Sequence, residues 1–381
     1  MCERDATIIG EPHEACLEPP TEPATYMHQP LSRSLDEIRL LKLRKEEHGP
    51  VHCEVEVFPL EQAPEYIALS YRWGPPSPSH DIFIADQRLK IRDILHACLL
   101  ELREDVDTWL WIDQICIAQA DTAERNHQVG MMSRIYSDAT SVIVWLGDIP
   151  IASPEEVDRF NDKDLRSEDV VSLLENIYFT RLWIVQEILV ARRIKIRING
   201  NRCVTWNCLH LKGLPASPIW DLYVEPAAKY LLKISHGYHR SGQDHSMPLM
   251  DCIQNFRDSK CQDPRDKVYG FMGVVRVEDR IAVDYNKTVQ GVFLDFINVV
   301  VNELTVSSSS TTLVCGYIYG LGLQMGIEEF LLKRLNPLLE DRLGDHRYEI
   351  VLTVGLEKAN LVRRYDRWWF EYKSGRFFWF F

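Results

Sequence analysis

The sequence predicts an α/β fold: a flavodoxin-like parallel sheet flanked by helices, followed by a mainly helical C-terminal subdomain. Three observations carry this. Apolar strand-like runs recur at Tyr66–Ser70, Trp109–Ile112 and Ser141–Leu146. Each ends in a polar cluster, and helical patterns separate them. Short, continuously apolar strands alternating with helices imply a parallel sheet covered on both faces. Right-handed crossovers leave few topologies for such repeats, and a sheet of four or five strands is expected. Ligands of open α/β sheets bind at the carboxyl ends of the strands. Here those ends carry Arg72, Trp73, Asp113 and Gln114.

Taken in order, residues 1–33 are rich in Pro, Glu and Thr and read as a flexible lead-in. An α/β core follows over 34–204. Ile38–Leu43 and Val51–Val57 form a hairpin, expected at the sheet edge; the second run alternates strictly, as a half-exposed strand does. The first core strand is 66–71. Ile82–Ile84 and Leu89–Ile91 flank Asp86-Gln87 as an inserted hairpin. A helix starts near Asp93, and Ile91, Ile94, Leu95, Cys98 and Leu102 fall on one stripe. The second strand is 109–113. The next helix runs over 123–139 with Val129, Met132, Ile135, Tyr136 and Ala139 on one face. The third strand is 141–146, and 147–164 is an acidic loop. A helical stretch covers 168–178. Thr180 is placed to cap a helix over 182–192, and Ile194–Ile198 is a fourth strand closed by Asn199-Gly200.

From 205 the pattern is helical: 206–213, 225–236, 247–258, 264–272 and 288–304 make a subdomain over 205–306. Asp263-Pro264 reads as a helix start and Gly273 as its end. Ser307–Thr312 reads as a loop opening an extension over 307–381. The tail, Trp368-Trp369-Phe370 and Phe377–Phe381, is so aromatic that it must pack on the domain or on a partner.

Composition narrows the function. Against 56 acidic residues stand 43 basic ones, a formal charge of −13. Nucleic acid and anionic membrane surfaces are therefore not expected as main partners. Ten cysteines occur without a CxxC pair, which reads as free thiols in a reducing compartment. The charged N-terminus Met1–Asp5 lacks a signal-peptide core, and no apolar run reaches the ~20 residues of a membrane span. The protein reads as soluble and cytoplasmic. The histidines show no metal-ligand spacing, and GxGxxG, GxxxxGK[ST] and GxSxG are absent. No metal and no resident cofactor are expected.

Four clusters carry candidate chemistry. In Ser70-Tyr71-Arg72-Trp73-Gly74, Arg72 can pair a phosphate and Trp73 can stack on a base; the structural alternative is a salt bridge and a core Trp. Asp113 can hold ribose hydroxyls or cap the following loop, with Gln114 beside it. Glu124, Arg125 and Gln128 read as a network between elements. Glu187 follows Trp183 by one turn among apolar neighbours. Such a carboxylate is either functional or half of a buried Arg–Glu pair, with Arg72 or Arg181 as partner. Asp263, Arg265 and Asp266 read as capping plus an ion-pair network that docks the later subdomain.

Together these runs resemble the fungal heterokaryon incompatibility (HET) domain. The matching stretches are Tyr66–Gly74, Leu110–Gln119, Glu124-Arg125 with Gln128-Val129, Ile135-Tyr136, Val144–Gly147, Arg181–Glu187, Asp263–Tyr269 and Asp284-Tyr285, covering about 38–300. One departure is Ala118, where the family usually has Asn in Cys-Ile-Asn-Gln. The resemblance implies non-self recognition followed by programmed cell death. It also implies a remote likeness to TIR domains, since Trp183…Glu187 has the Trp-to-Glu spacing of their WCxxE-like pattern. That likeness assigns NAD⁺ as substrate and makes Glu187 catalytic with assistance from Asp113. Ser70, Tyr71, Arg72, Trp73, Gln114 and Trp183 would bind the nucleotide. A homo-oligomer or an incompatibility partner is implied as well. The alternative is a non-catalytic TIR-like assembly module that acts through its partner.

Overall fold

The computed structural model describes residues 23–45, 48–147, 167–198, 202–211, 224, 226–241, 246–304, 311–329, 331–333, 350–354, 357–364 and 367–372. Its centre is a nine-stranded mixed sheet of order β5-β4-β2-β1-β6-β3-β7-β8-β9. The strands are β1 Glu37–Leu43, β2 His52–Pro59, β3 Tyr66–Tyr71, β4 Ser79–Ile84, β5 Gln87–Arg92, β6 Trp109–Trp111, β7 Ser141–Trp145, β8 Ile194–Ile198 and β9 Arg202–Thr205. The three apolar runs and the fourth expected strand are parallel neighbours: β3 pairs with β6 and with β7, and β7 pairs with β8. Counted along the chain, these four strands lie in the order 2-1-3-4.

The sheet is wider than the expected four or five parallel strands. The β1–β2 hairpin is not at the edge: β1 continues the sheet beside β6, with Leu41 opposite Leu110. The β4–β5 hairpin then extends it past β2, with His52 opposite Phe83. β9, which the sequence pattern did not announce, closes the far side against β8. Alternation fixes which face of a strand is apolar, but not which distant strand it pairs with.

The pleat divides the core. On β3 and β7, Ala68, Val142 and Val144 enter one apolar cluster, and Leu69, Tyr71, Ile143 and Trp145 enter the other. The second cluster is covered by α1 (Asp93–Asp105), whose buried Leu95, Cys98 and Leu102 follow the expected stripe, with Leu99 beside them. The first is covered by α3 (Thr122–Asp138), α4 (Ser167–Leu174), α5 (Ile184–Leu189) and the later helices. A four-residue helix, α2 (Asp113–Cys116), precedes α3, so Asp113 opens a helical turn rather than ending the second strand.

Other boundaries differ too. The expected 168–178 helix stops at Leu174 and is followed by a 3-10 turn over Ile177–Thr180. Thr180 does not cap α5; its hydroxyl donates to the Ile177 carbonyl at 2.8 Å. In the later region α6 (Trp206–Leu211), α7 (Pro226–Ser241), α8 (Leu249–Phe256), α9 (Asp266–Tyr269), α10 (Val289–Leu304) and α11 (Thr311–Gln324) follow. The expected 264–272 helix shrinks to the single turn of α9, and α11 begins inside the stretch expected as a loop. β10 Ile350–Val354, β11 Glu357–Arg364 and β12 Arg367–Tyr372 form a separate antiparallel meander. The end of the aromatic tail, from 373, lies outside the described residues.

Part of the lead-in is anchored. Tyr26 N–H donates to the Arg88 carbonyl at 2.9 Å, Arg88 N–H donates to Ala24 at 2.7 Å, and His28 Nε2 meets the Ile115 carbonyl at 2.7 Å. Arg39, fully buried on β1, adds the Gln29 carbonyl to its partners and holds Glu124 of α3 through two hydrogen bonds of 2.6 and 2.9 Å. Its Nη1 also reaches the Cys116 carbonyl at 2.8 Å, and Ala118 N–H donates to Glu124 at 2.7 Å. This pair fixes the α2–α3 connection that borders the strand ends. Removing one partner of a buried pair leaves a charge without compensation, so Glu124→Ala is expected to cost about 3–5 kcal/mol. Urea unfolding measures it, and the paired change Arg39→Met with Glu124→Leu is expected to recover most of the loss.

Candidate functional site

The parallel strands end beneath a cleft of about 390 Å³. Its walls come from the β3 end (Arg72, Trp73, Gly74), α2 and its exit (Asp113, Gln119), α3 (Arg125), the turn before α5 (Thr180, Arg181, Trp183) and the 260–266 segment with Tyr285. Gly74 turns the chain with φ 68°, and a Cβ there would lie 2.5 Å from Ile94 Cδ1. Only glycine makes that turn without strain.

The far wall is stitched on by hydrogen bonds. Leu182 N–H donates to the Lys260 carbonyl at 2.9 Å and Lys260 N–H to Thr180 at 2.5 Å. Asn126 of α3 accepts from Tyr285 N–H at 2.9 Å and donates to Asp284 at 3.2 Å. Arg265 grips Asp263 at 2.6 and 2.9 Å and donates to the Tyr285 and Lys287 carbonyls. Arg265 and Asp263 thus pair within the later subdomain; the bonds across to the core come instead from Lys260, Asp284 and Tyr285.

The structure gathers Arg72, Trp73, Asp113 and Trp183 in one cleft. Trp73 Nε1 donates to Asp113 at 2.7 Å, and the Arg92 guanidinium covers one face of Trp73 at 4.9 Å from the ring centroid. Gln114 N–H donates to the other Asp113 oxygen at 2.7 Å. Burial pushes the Asp113 carboxyl up, against the pull of nearby Arg181.

Ser70, Tyr71, Gln114 and Glu187 do not line it. The pleat sends Ser70 to the helical side and Tyr71 into the opposite core, where its hydroxyl donates to Gln114 at 3.0 Å. Glu187 is 1% exposed. Its carboxylate accepts from the Ser70 hydroxyl and faces Arg181 Nη2 at 3.6 Å. The Tyr178 hydroxyl completes the cluster, 2.5 Å from Ser70 Oγ. Burial pushes the Glu187 carboxyl up and Arg181 opposes it. Of the two readings open for Glu187, the buried Arg–Glu pair is the geometry present, with Arg181 rather than Arg72 as partner. Arg181 stands between Glu187 and the cleft.

A further carboxylate, Asp266, belongs to the site. It is 7% exposed and accepts from Trp183 Nε1 at 3.1 Å and from the Tyr285 hydroxyl at 2.7 Å. Burial, helped by neighbouring Asp263, pushes its carboxyl up to about 6. In the sequence Asp266 is an ordinary first-turn acid; that Trp183 and Tyr285 would enclose it was not written locally. Among the described residues no His, Cys, Asp and Glu cluster could hold a metal ion.

Comparison with known proteins adds a family to this geometry. Residues 66–187 match the family model described as heterokaryon incompatibility protein (HET). The matched stretch runs from the first residue of β3 to Glu187. Heterokaryon incompatibility protein 6, OR allele, of Neurospora crassa is 25% identical over 343 residues, covering 68% of this chain and 50% of the relative. Vegetative incompatibility protein HET-E-1 of Podospora anserina is 24% identical over 198 residues, covering 48% of this chain and 14% of the relative. The chain thus spans about half the length of the first relative and far less of the second. These matches support a heterokaryon incompatibility protein. No solved structure matches. Within the HET stretch Ala118 acts through its backbone, since its N–H holds Glu124, and Gln119 donates from Nε2 to the Asp113 carbonyl at 2.8 Å. No helix among the described residues is long and apolar enough to cross a membrane.

Asp266 gives the site a pH signature. Its folded value, about 6, lies above the ordinary 3.8, so the folded state holds a proton that the unfolded state releases. Stability from this group is full below pH 3.8 and is lost as pH rises toward 6, by at most about 3 kcal/mol. Urea midpoints across that window are expected to fall more steeply in the wild type than in Asp266→Asn; equal slopes would remove Asp266 as the source.

Proposed function

We propose that this protein acts in heterokaryon incompatibility and that the cleft binds NAD⁺ and cleaves its nicotinamide–ribose bond, with cell death as the outcome. The observation that carries the reading is the meeting of Arg72, Trp73, Asp113 and Trp183, distant in sequence, in one cleft at the carboxyl ends of parallel strands. The 2-1-3-4 strand order is the opening of the flavodoxin-like order, which supports the TIR-like reading. The names of both relatives refer to incompatibility.

The chemistry follows from the substrate. Nicotinamide leaves a cationic linkage as a neutral molecule, so its departure needs no acid. The ribose develops oxocarbenium character, which a carboxylate stabilises as in glycosidases; water then adds to the anomeric carbon and gives up a proton to solvent, leaving ADP-ribose. Asp113 on the cleft wall supplies that charge. Glu187 lies one layer below and contributes by holding Arg181. Trp73 and Trp183 take the flat rings of the ligand. Action in the cytoplasm and assembly of copies, or docking of an incompatibility partner, belong to the same reading.

One observation favours a second reading. The Glu187 carboxylate is fully engaged by Ser70 and Arg181, as expected if the HET region is a non-catalytic assembly module. Nicotinamide release from NAD⁺ separates the two. The wild type is expected to turn over, Asp113→Asn to lose activity by about a hundredfold or more, the range of positioned acid–base and charge catalysis, and Glu187→Gln to lose it with the fold intact by circular dichroism. Full activity in Asp113→Asn removes Asp113 from the reaction. No turnover by the wild type at self-associating concentration favours the assembly module.

A further inference from the structure

The cleft's hydrogen-bonding groups are unevenly used. Its carboxylates are satisfied: Asp113 by Trp73 and the Gln114 N–H, Asp263 by Arg265, and Asp266 by Trp183 and Tyr285. Its guanidinium groups are not. Arg125 Nε and Arg181 Nη1 are both buried from solvent without a hydrogen-bond partner. The Arg125 side chain makes no hydrogen bond and no ion pair among the described residues; its guanidinium carbon lies over the Tyr285 ring, 4.1 Å from the centroid. Arg72 and Lys260 line the same cleft, and their side chains likewise have no carboxylate partner among the described residues.

The contrast with the structural arginines is informative. Arg39 and Arg197 also leave Nε unpaired, but each commits terminal nitrogens to carboxylates, Glu124 and Asp105 respectively. Arg125 commits none. A buried donor without an acceptor is costly, and the guanidinium fork matches phosphate oxygens in particular. The cleft therefore lacks acceptors, not donors. The contact with the Tyr285 ring leaves the Arg125 N–H groups without hydrogen-bond acceptors.

We propose that Arg125 and Arg181, with Arg72 at the strand end, form a subsite for the diphosphate of a nucleotide bound in this cleft. The proposal rests on the nucleotide reading above and adds the anchoring residues to it. Arg181 serves both the core and the cleft, since it lines the cleft while one terminal nitrogen faces Glu187 and the other is buried without a hydrogen-bond partner. The raised Asp266 carboxyl, partly neutral near pH 6, lowers the repulsion that a phosphate would meet there.

Arg125 is the residue to change, because Arg181 also balances a buried charge. Isothermal titration of the full chain with inorganic pyrophosphate, ADP-ribose and phosphate-free nicotinamide riboside tests the assignment. Arg125→Gln is expected to bind pyrophosphate and ADP-ribose about tenfold more weakly or worse than wild type, with nicotinamide riboside unchanged. Arg125→Lys, which keeps the charge, is expected to regain part of the loss, and an unchanged thermal midpoint shows that folding is intact. Equal ADP-ribose affinity in wild type and Arg125→Gln overturns the subsite while leaving the nucleotide reading standing. A wild type that binds neither pyrophosphate nor ADP-ribose at millimolar concentration also overturns it. Arg125-dependent pyrophosphate binding without ADP-ribose or NAD⁺ binding supports the subsite, makes free phosphate its ligand, and removes the nucleotide reading.

Discussion

A buried carboxylate must be compensated, and the compensation of Glu187 organises the centre of this molecule. Glu187 sits on a short helix whose residues Ile184–Leu189 are all buried. Ionised there alone, it would carry a prohibitive desolvation cost. Ser70 from β3 and Arg181 from the turn before α5 meet it, and Tyr178 closes the cluster. Three separate stretches of chain are thereby held at the carboxyl end of the sheet. The same arginine is stacked near the Tyr178 ring and reaches the cleft. The ion pair thus sets the depth of the cleft floor as well as the seat of α5.

A second buried pair, Arg39–Glu124, has the equivalent role on the other side. It joins the lead-in, β1, the loop after α2 and the start of α3. Asp121 caps that helix start from outside, accepting from Ala123 and Glu124 N–H. With both ends of the α2–α3 connection fixed, Asp113 and Arg125 project from rigid elements. A site that must hold a ligand in one orientation needs this kind of support.

The parallel strands were readable because buried strands write themselves as continuous apolar runs. Tyr66–Tyr71 and Ser141–Trp145 needed no partner to be recognised, Ile194–Ile198 showed itself by alternation, and the stripe of α1 was equally local. The width of the sheet was not readable, because the pairing of Leu41 with Leu110 and of His52 with Phe83 is a tertiary fact. The site was half readable. Arg72, Trp73 and Asp113 follow from the rule that strand ends face the ligand. Glu187 was visible as a costly carboxylate, but a helix buried all round gives no periodicity from which to tell its orientation. The opposite wall, Lys260 to Asp266 with Tyr285, comes from far along the chain and carries polar residues that read locally as caps and ion pairs.

The two walls differ in what they leave undone, and this difference is what distinguishes a binding cleft from a structural seam. A seam between packed elements ends with its donors and acceptors matched, as Arg265 does with Asp263 and two carbonyls. The strand-end cleft does not: every carboxylate in it has donors, while Arg125 and one arm of Arg181 have no acceptor. Arg125 lies over the Tyr285 ring with Nε unpaired, and its charge acts on Asp263 and Asp266 without a hydrogen bond to either. The anionic ligand of the proposed subsite would supply the missing acceptors. The surplus of donors therefore supports the proposed subsite independently of whether the cleft also cleaves its ligand.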